Sequence, residues 1–153
     1  KDQAEVRIKW PNDVLVGRSK VAGILIENEL HGGFVASAVI GIGINVDSVG
    51  LESGLAATSL RQEAGSAVGV EPVLALLCQR LEAWWSMVRD CPDAISTAYA
   101  DRLWAKGRFA DFTLDGKDYR ARPLEVDAAG RLIVEDDQGS VQAYGLERLR
   151  FKL

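Results

Sequence analysis

The sequence predicts an α+β fold, in which a mixed or antiparallel sheet with packed helices is followed by a small β-barrel. Residues 5–47 alternate apolar and polar side chains with the two-residue period of strands. Residues 48–105 instead place apolar side chains three and four positions apart, which is the spacing of one helix face. Strand-like patterns return from residue 107 onward, so strands flank a helical middle.

The first region predicts an antiparallel meander. Apolar and charged residues alternate from Val6 to Trp10, until Pro11-Asn12-Asp13 interrupts the pattern. Two longer strands, Val21–Leu30 and Phe34–Val46, are then predicted on either side of a tight turn at His31-Gly32-Gly33. The second of these strands could form an edge that pairs with another subunit, so a homodimer is a possible assembly.

The middle of the chain predicts three helices. Ser59-Leu60-Arg61-Gln62 fits a capping box, and Gly65 is a plausible stop for that helix. Glu71-Pro72 opens the longest helix, since proline is tolerated in a first turn, and Pro92 begins another. We expect the Trp84-Trp85 pair of the long helix to belong to the core. A base-stacking platform is disfavoured, because no basic residues interleave with the pair.

The last part of the chain predicts a small β-barrel or sandwich. Turn signals recur there at short intervals, the first being Asp115-Gly116. The strands between these turns are expected at Arg108–Leu114, Lys117–Val126, Arg131–Glu135 and Ser140–Phe151. The change of pattern at Ala105-Lys106-Gly107 predicts two domains, residues 1–105 and 106–153.

Composition excludes several classes of function. The chain has 153 residues and a net charge of −4, with 22 acidic against 18 basic residues, which disfavours nucleic-acid binding. His31 is the single histidine, so a histidine-rich zinc site or a catalytic triad is disfavoured. Cys78 and Cys91 form no paired motif and are expected to be reduced interior thiols of a cytoplasmic protein. No apolar run predicts a membrane span. The start at Lys1 suggests a fragment or a trimmed product.

The segment Lys9-Trp10-Pro11-Asn12-Asp13 is the first candidate for function. Proline keeps the preceding residue extended, so Asn12 and Asp13 project from a defined corner. An aspartate there could hold a metal-bound nucleotide or orient an amine, and an asparagine could bond a base, a sugar or a phosphate. A plain β-turn accounts for the same residues.

Two further segments carry residues that suit a ligand. Lys20, at the start of the segment Lys20–Leu25, could place its ammonium on a carboxylate or phosphate, and Gly23 could mark a ligand close to the backbone. Without further context, a solvated strand-end lysine and a bulge glycine are the favoured explanation of the same residues. In the segment Ile40–Val46, isoleucines and valine form one face, and Gly41, Gly43 and Asn45 form the other. The bare face suits a flat ligand, or a helix packed closely over the glycines.

These segments together resemble the biotin protein ligases, the biotin–[acetyl-CoA-carboxylase] ligase family. Any one of the motifs is weak evidence, but the ordered and closely spaced set is specific. The motifs are Lys9-Trp10-Pro11-Asn12-Asp13, Lys20-x-x-Gly23-Ile24-Leu25, Gly41-x-Gly43-Ile44-Asn45 and Ala57-Thr58-Ser59-Leu60. The resemblance implies a class II synthetase-like catalytic core over residues 1–105, incomplete at its start, and an SH3-like module over residues 106–153.

The resemblance also implies roles for individual residues. Lys20 would meet the biotin carboxylate and the adenylate phosphate, and Asp13 would join it in catalysis by orienting the incoming lysine. Backbone groups of Gly23, Ile24 and Leu25 would line the biotin pocket, with Gly41 and Gly43 as its floor. The nucleotide would be bound by Lys9, Asn12, Asp13 and Asn45, with Asp13 and Asn45 as possible magnesium contacts through the nucleotide.

The implied activity is a two-step ligation. Biotin and ATP would give biotinyl-5′-AMP, and a lysine of a biotin carboxyl carrier protein, an acetyl-CoA carboxylase subunit, would then accept the biotin. The Gly/Arg-rich loop that the family carries upstream of Lys9 is not found in this chain, and that loop contributes cationic and N–H contacts to the transition state. Two alternatives therefore stay open: a lipoate or octanoate ligase or transferase, and a module that binds a ligand or partner without catalysis.

Overall fold

The computed structural model describes residues 5–49 and 56–152, except for the side chain of Arg89, and these residues form two antiparallel sheets and three helices. The elements of the first part are β1 (Val6–Lys9), β2 (Asp13–Val16), β3 (Ser19–His31), β4 (Phe34–Ile44), α1 (Leu60–Ala64), α2 (Val70–Asp90) and α3 (Pro92–Arg102). The second sheet contains β5 (Ala110–Leu114), β6 (Lys117–Val126), β7 (Leu132–Asp136), β8 (Val141–Tyr144) and β9 (Leu149–Phe151). The predicted α+β class is confirmed.

The first sheet has the strand order β1-β2-β3-β4, which confirms the predicted meander. β3 and β4 form a long hairpin whose pairing runs from Ala22↔Ile44 to His31↔Phe34, with the turn at Gly32 and Gly33. Among the described strands β4 has one neighbour, so it lies at an edge of this sheet, as predicted. The strand ends at Ile44, two residues before the predicted end.

A bulge shifts the pairing of β2 with β3. Asp13 pairs with Gly23 and Val14 with Ala22, but the next pair is Leu15 with Lys20, so Val21 is an extra residue on β3. Strict alternation would place Lys20 on the face opposite Gly23, because their numbers differ by three. The extra residue reverses this and places Lys20 on the same face as Asp13 and Gly23.

The helix signals of the sequence are largely confirmed. The side chain of Ser59 caps α1 by accepting from the backbone N–H of Gln62, and Gly65 ends that helix in the left-handed conformation at φ 70°. Only half of the capping box forms, because the Gln62 side chain lies against the hydroxyl of Thr58, 3.3 Å away. α2 begins at Val70, one residue before Glu71-Pro72, and α3 begins at Pro92 as predicted.

Two expectations for the helical region are wrong. Trp84 and Trp85 are not core residues, since 43% and 63% of their surfaces are exposed. Cys78 and Cys91 are free thiols as expected, but they lie at the surface. The apolar period of α2 identifies which side of the helix is apolar, whereas burial also requires another element over that side, which a period does not encode.

The second sheet has the strand order β8-β7-β6-β5-β9. Its Asp115-Gly116 turn has positive φ at both residues, 50° and 79°, as expected for a two-residue hairpin turn. The single strand predicted over Ser140–Phe151 is wrong, because the backbone N–H of Arg148 and of Leu149 bond to the carbonyl of Gly145 and form a turn. This turn separates β8 from β9, and β9 crosses to pair with β5.

The chain divides into two compact units, of which the first holds β2, β3 and β4 and the second holds the whole second sheet. The unit of the second sheet also includes α3 and the short stretch Ile8–Pro11, and its core consists of large side chains that are almost fully buried. These are Trp10, Leu103, Phe112, Leu132, Val134 and Leu149. The Trp10–Pro11 peptide bond is cis, and the Trp10 indole donates to the carbonyl of Gly130 at 2.9 Å. The domain boundary after residue 105 stays a prediction.

Candidate active site

An open cleft of about 460 Å³ lies on the first sheet, within one compact unit. It is lined by residues from the corner before β2 and from the paired strands β3 and β4. The lining residues are Asn12, Lys20, Gly23, Ile24, Leu25, Gly41, Ile42 and Gly43. All of them except Ile42 belong to the set that the sequence singles out, so the structure brings three separate motifs to one cavity.

Glycines leave the floor of this cleft bare. Gly43 pairs with Gly23 across the hairpin, and Gly41 pairs with Leu25. A Cβ atom placed on Gly41 or Gly43 would meet its nearest neighbours at 3.8 to 4.0 Å, which is ordinary van der Waals contact. Close packing within the described residues therefore does not require these two glycines. What their missing side chains provide is free space above the sheet.

Gly23 has a different role, because it makes room for Lys20. A Cβ on Gly23 would lie 3.0 Å from Nζ and 3.1 Å from Cε of Lys20, and 3.6 Å from Oδ1 of Asp13. The end of the lysine side chain therefore lies directly over Gly23. A residue with a Cβ at this position would push the ammonium group away by a few tenths of an ångström or more.

Lys20 and Asp13 form an ion pair beside the cleft. The carboxylate side chain is 18% exposed and the lysine side chain 48% exposed, so the carboxylate is the better shielded partner. An ammonium group has three donors, so an ammonium that bonds to one carboxylate can still bind a second anion. The arrangement suits a negatively charged ligand group at this end of the cleft.

Asn12 lines the cleft and also anchors its wall. Its carbonyl accepts a 2.9 Å hydrogen bond from the backbone N–H of Ile24, and its side chain is exposed. Asn45 is not among the lining residues, and its amide group donates to the carbonyl of Thr58 at 3.0 Å. Lys9 is half-buried in the other compact unit. The nucleotide-binding roles of these residues stay predictions.

Thr58 and Ser59, beside the site, have a larger structural role than the helix cap that the sequence predicts. Thr58 and Ser59 are the buried polar residues of the described chain, 5% and 0% exposed. The sequence of Ala57-Thr58-Ser59-Leu60 predicts a helix N-cap, and Ser59 does cap α1. The segment also makes contacts that this prediction does not include. The backbone of Ala56 and Thr58 also bonds to Lys20, a long-range contact that leaves no local signal in the sequence.

The described residues offer few ligands for a metal. They include no cluster of three or more histidine, cysteine or acidic side chains that could hold an ion. Magnesium commonly binds through one or two carboxylates together with substrate phosphates and water. Asp13 supplies one carboxylate next to the cleft, so the residues present fit an ion that arrives with a nucleotide.

Clear pKa shifts occur in the second compact unit. Hydrogen bonds from Arg148 lower the pKa of Asp115, and bonds from the backbone and side chain of Arg131 lower the pKa of Asp127. Burial raises the pKa of Tyr99 and of Tyr119 to about 12. These shifts reflect the packing and turns of that unit.

No helix in the described part of the chain has the length and apolar character needed to cross a bilayer.

Residues 1–45 match the sequence model of the biotin/lipoate A/B protein ligase family. This stretch carries β1 to β4 and every residue that lines the cleft. The first part of the chain is thus similar to this family.

The curated relatives of the chain include a protein named as a biotin ligase and one named as a bifunctional ligase/repressor, in agreement with the resemblance found in the sequence. The biotin–[acetyl-CoA-carboxylase] ligase of Paracoccus denitrificans is 41% identical over 86 residues, covering 53% of this chain and 36% of that protein. The bifunctional ligase/repressor BirA of Bacillus spizizenii is 32% identical over 148 residues, covering 92% of this chain and 45% of the relative. The chain thus spans about a third to a half of the curated relatives it matches.

Solved structures support the same fold. The apo biotin protein ligase of Aquifex aeolicus matches with a TM-score of 0.77 at 19% identity, over 96% of this chain and 65% of that one. The same enzyme in complex with biotin and ATP matches with a TM-score of 0.76 at 18% identity, over 96% and 62% of the two chains. At this level of identity the likeness concerns the fold.

Proposed function

We propose that this chain contributes the biotin-activating site of a ligase that makes biotinyl-5′-AMP from biotin and ATP. The full-length protein would then transfer biotin to a lysine of a biotin carboxyl carrier protein. The single observation that carries the proposal is the cleft, in which a bare glycine floor ends at the Lys20–Asp13 ion pair. The name of the relative from Paracoccus denitrificans, a biotin–[acetyl-CoA-carboxylase] ligase, supports biotin as the ligand.

The cleft suits the two parts of biotin. Gly41 and Gly43 expose backbone over which an apolar bicyclic ring can lie, and Leu25 adds an apolar wall on the same face. Ile24 and Ile42 border the cleft through their backbone, since their side chains lie on the other face of the sheet. The carboxylate of biotin would point toward the ammonium group of Lys20, which is one of the residues that line the cleft. Biotin would thus be held by shape along its rings and by charge at its reactive group.

The chemistry needs charge stabilisation and no protein nucleophile. In the first step a carboxylate oxygen of biotin attacks the α-phosphorus of ATP, and pyrophosphate leaves. In the second step the amine of the carrier lysine attacks the carbonyl carbon of the mixed anhydride, AMP leaves, and the amine loses a proton. Negative charge builds on phosphate and carbonyl oxygens in both steps, and the Lys20 ammonium stabilises such charge. Asp13 would hold that ammonium in place and orient the incoming amine.

The nucleotide and its metal belong to the same proposal. Asn12 at the corner before β2, together with Lys9 and Asn45, would bind the nucleotide, and Asp13 and Asn45 would contact a magnesium ion carried by its phosphates. When bound, that ion would neutralise phosphate charge. Because the Asn45 amide N–H₂ already donates to Thr58, its side-chain oxygen would face the ion or the nucleotide.

The test is adenylate formation by the full-length protein. Biotin and ATP should give biotinyl-AMP and pyrophosphate, and Lys20→Ala should lower the rate by about two to three powers of ten, as for loss of one charge-stabilising donor. Lys117→Ala, at an exposed residue at the start of β6 in the other compact unit, is the matched control and should keep the wild-type rate. Absence of biotinyl-AMP with the wild-type protein would refute the proposal, and a near-normal rate for Lys20→Ala would refute the role of Lys20.

A lipoate ligase is the second candidate, because the matching family model covers biotin and lipoate ligases together. Calorimetric titration with biotin, and with lipoate in competition, distinguishes the two. Tight binding of biotin that lipoate fails to displace supports the biotin ligase, whereas the reverse preference supports the lipoate enzyme.

A further inference from the structure

A short segment, Ala56–Ser59, holds the backbone of Lys20 from the side away from β2. We call it the bridging segment. The N–H of Lys20 donates to the carbonyl of Ala56 at 2.7 Å, and the N–H of Thr58 donates to the carbonyl of Lys20 at 2.9 Å. Both backbone polar groups of the lysine are thus bonded to the bridging segment, which forms a parallel bridge at Ala57.

The bulge in β3 makes this contact important. The extra residue, Val21, is what places the Lys20 side chain on the cleft face. On the other edge of β3 the ladder with β4 ends at the pair Ala22↔Ile44, so β4 does not reach the backbone polar groups of Lys20. The bridging segment bonds to these groups and thereby stabilises the conformation in which Lys20 faces the cleft.

Ser59 fastens the bridging segment to the rest of the unit. Its hydroxyl donates to the carbonyl of Ser48 at 2.8 Å and accepts from the N–H of Gln62 at 3.2 Å, and the residue is fully buried. One side chain therefore links the segment both to the chain that follows β4 and to the first turn of α1. In a buried site, loss of the hydroxyl leaves the Ser48 carbonyl without this donor.

Neighbouring bonds hold the same segment. The amide group of Asn45 donates to the carbonyl of Thr58 at 3.0 Å, and the Thr58 hydroxyl donates to Oε1 of Glu63 at 2.6 Å. The N–H of Leu60 donates to the carbonyl of Asn45 at 2.9 Å. A connected network therefore runs from the end of β4 through the bridging segment to the backbone of Lys20.

We propose that the buried Ser59 is a positioning residue, which acts through the bridging segment to hold the Lys20 ammonium at the end of the cleft. This inference rests on the proposed biotin adenylation. The lysine side chain is 48% exposed, so apart from the Asp13 contact its position depends on where its backbone is held. A displacement of about 1 Å at a reacting group can cost a hundredfold in rate.

The test compares Ser59→Ala with Gly65→Ala in the full-length protein. Both changes weaken α1, the first at its N-cap and the second at the left-handed glycine that ends it, where the surrounding space is open. Ser59→Ala should lower kcat for pyrophosphate release by about tenfold or more, with smaller changes in KM for biotin and ATP. Gly65→Ala should keep a kcat within about twofold of wild type. Equal losses for the two variants would show that Ser59 only stabilises the helix, and would overturn the proposal.

A double-mutant cycle shows whether Ser59 acts through Lys20. In a Lys20→Ala background, Ser59→Ala should change the residual single-turnover rate by less than about twofold, because there is no ammonium left to position. A full tenfold further loss in that background would contradict the proposal.

Amide hydrogen exchange at Lys20 is a readout that does not need activity. Its N–H, bonded to Ala56, should exchange faster in Ser59→Ala and at the wild-type rate in Gly65→Ala. An unchanged rate in Ser59→Ala overturns the positioning role. A wild-type protein that makes no biotinyl-AMP but shows the exchange effect would refute the proposed function and leave the structural link between Ser59 and Lys20 in place.

Discussion

At the scale of single residues, the glycines of the cleft fall into two groups. Gly23 matters for the position of Lys20, because a Cβ there would meet the end of the Lys20 side chain at 3.0 Å and shift it. A Cβ on Gly41 would have no neighbour closer than 3.8 Å among the described residues, so the space beside Gly41 is open. A glycine that the fold does not need, in a strand that it weakens, is best explained by a ligand.

Gly41→Ala therefore separates ligand binding from stability. We expect an unchanged or slightly raised unfolding temperature. Alanine loses less backbone entropy than glycine on folding, and it can adopt the extended backbone conformation of this strand position without strain. We expect KM for biotin to rise, since the new methyl group projects into the cleft. Steady-state pyrophosphate release and thermal unfolding of the full-length protein measure the two effects.

Ser37→Ala is the matched control, since Ser37 lies on the same hairpin and its hydroxyl bonds to Glu29 away from the cleft lining. It should leave KM for biotin unchanged. An unchanged KM in Gly41→Ala would mean that this glycine does not border the biotin site.

At the scale of elements, turns in the second sheet hold charges in defined places. Asp127 accepts from the backbone N–H of Ala129 and of Arg131, and from the Arg131 side chain, at 2.8 to 3.0 Å. These bonds favour the charged carboxylate, and they lower its pKa below the usual value. The turn between β6 and β7 is therefore stabilised by an ionised aspartate.

The pH dependence of stability follows from this lowered pKa. The stabilisation by Asp127 is present above the pKa of an unfolded aspartate, about 3.9, and is lost as the pH falls through the lower pKa of the folded state. Asp127→Asn should therefore lower the urea midpoint at pH 7, and the difference from wild type should shrink as the pH falls below about 4. Asp137→Asn, an exposed change in the next turn, is the control. A difference that stays constant from pH 7 to strongly acidic pH would contradict the ionic role.

At the scale of the whole molecule, the described residues leave apolar surface uncovered. The hairpin of β3 and β4 exposes several large apolar side chains, among them Phe34 at 79% and Leu30 at 65%, and β4 is an edge strand. Exposed edges with apolar side chains favour pairing with another chain. The homodimer predicted from the sequence would use this edge.

Ala38→Lys tests that assembly. Ala38 lies in the middle of β4, opposite Asn28, on the face away from Gly41 and Gly43. A lysine there should weaken self-association of the full-length protein at least about tenfold in sedimentation velocity, because charges protect edge strands from pairing. Ala129→Lys adds the same charge on an exposed turn and should not change association. A wild-type protein that remains monomeric at all concentrations would contradict the predicted dimer.

Local pattern by itself determined much of the fold. The two-residue alternation predicted the hairpin of β3 and β4, Pro92 predicted the start of α3, and Asp115-Gly116 predicted a tight turn, because each of these depends on neighbours in the sequence. Seven of the eight residues that line the cleft lie in motifs that the sequence singles out, but Ile24 and Leu25 were assigned to a pocket only through the resemblance to the biotin protein ligases, and the binding roles of all seven stay predictions.

Long-range contacts were decided only by the tertiary structure. Strict alternation assigns Lys20 to the wrong face, and it is the pairing of Leu15 with Lys20 across the bulge that directs the ammonium to the cleft. Ser59 was predicted as a helix cap, but its bond to Ser48 and the backbone bonds that hold Lys20 join residues distant in sequence. The exposure of Trp84 and Trp85 has the same origin, because a helical period defines an apolar side and not the element that covers it. Sequence pattern thus determines which residue types are available, and the pairing of distant segments determines where their functional groups lie.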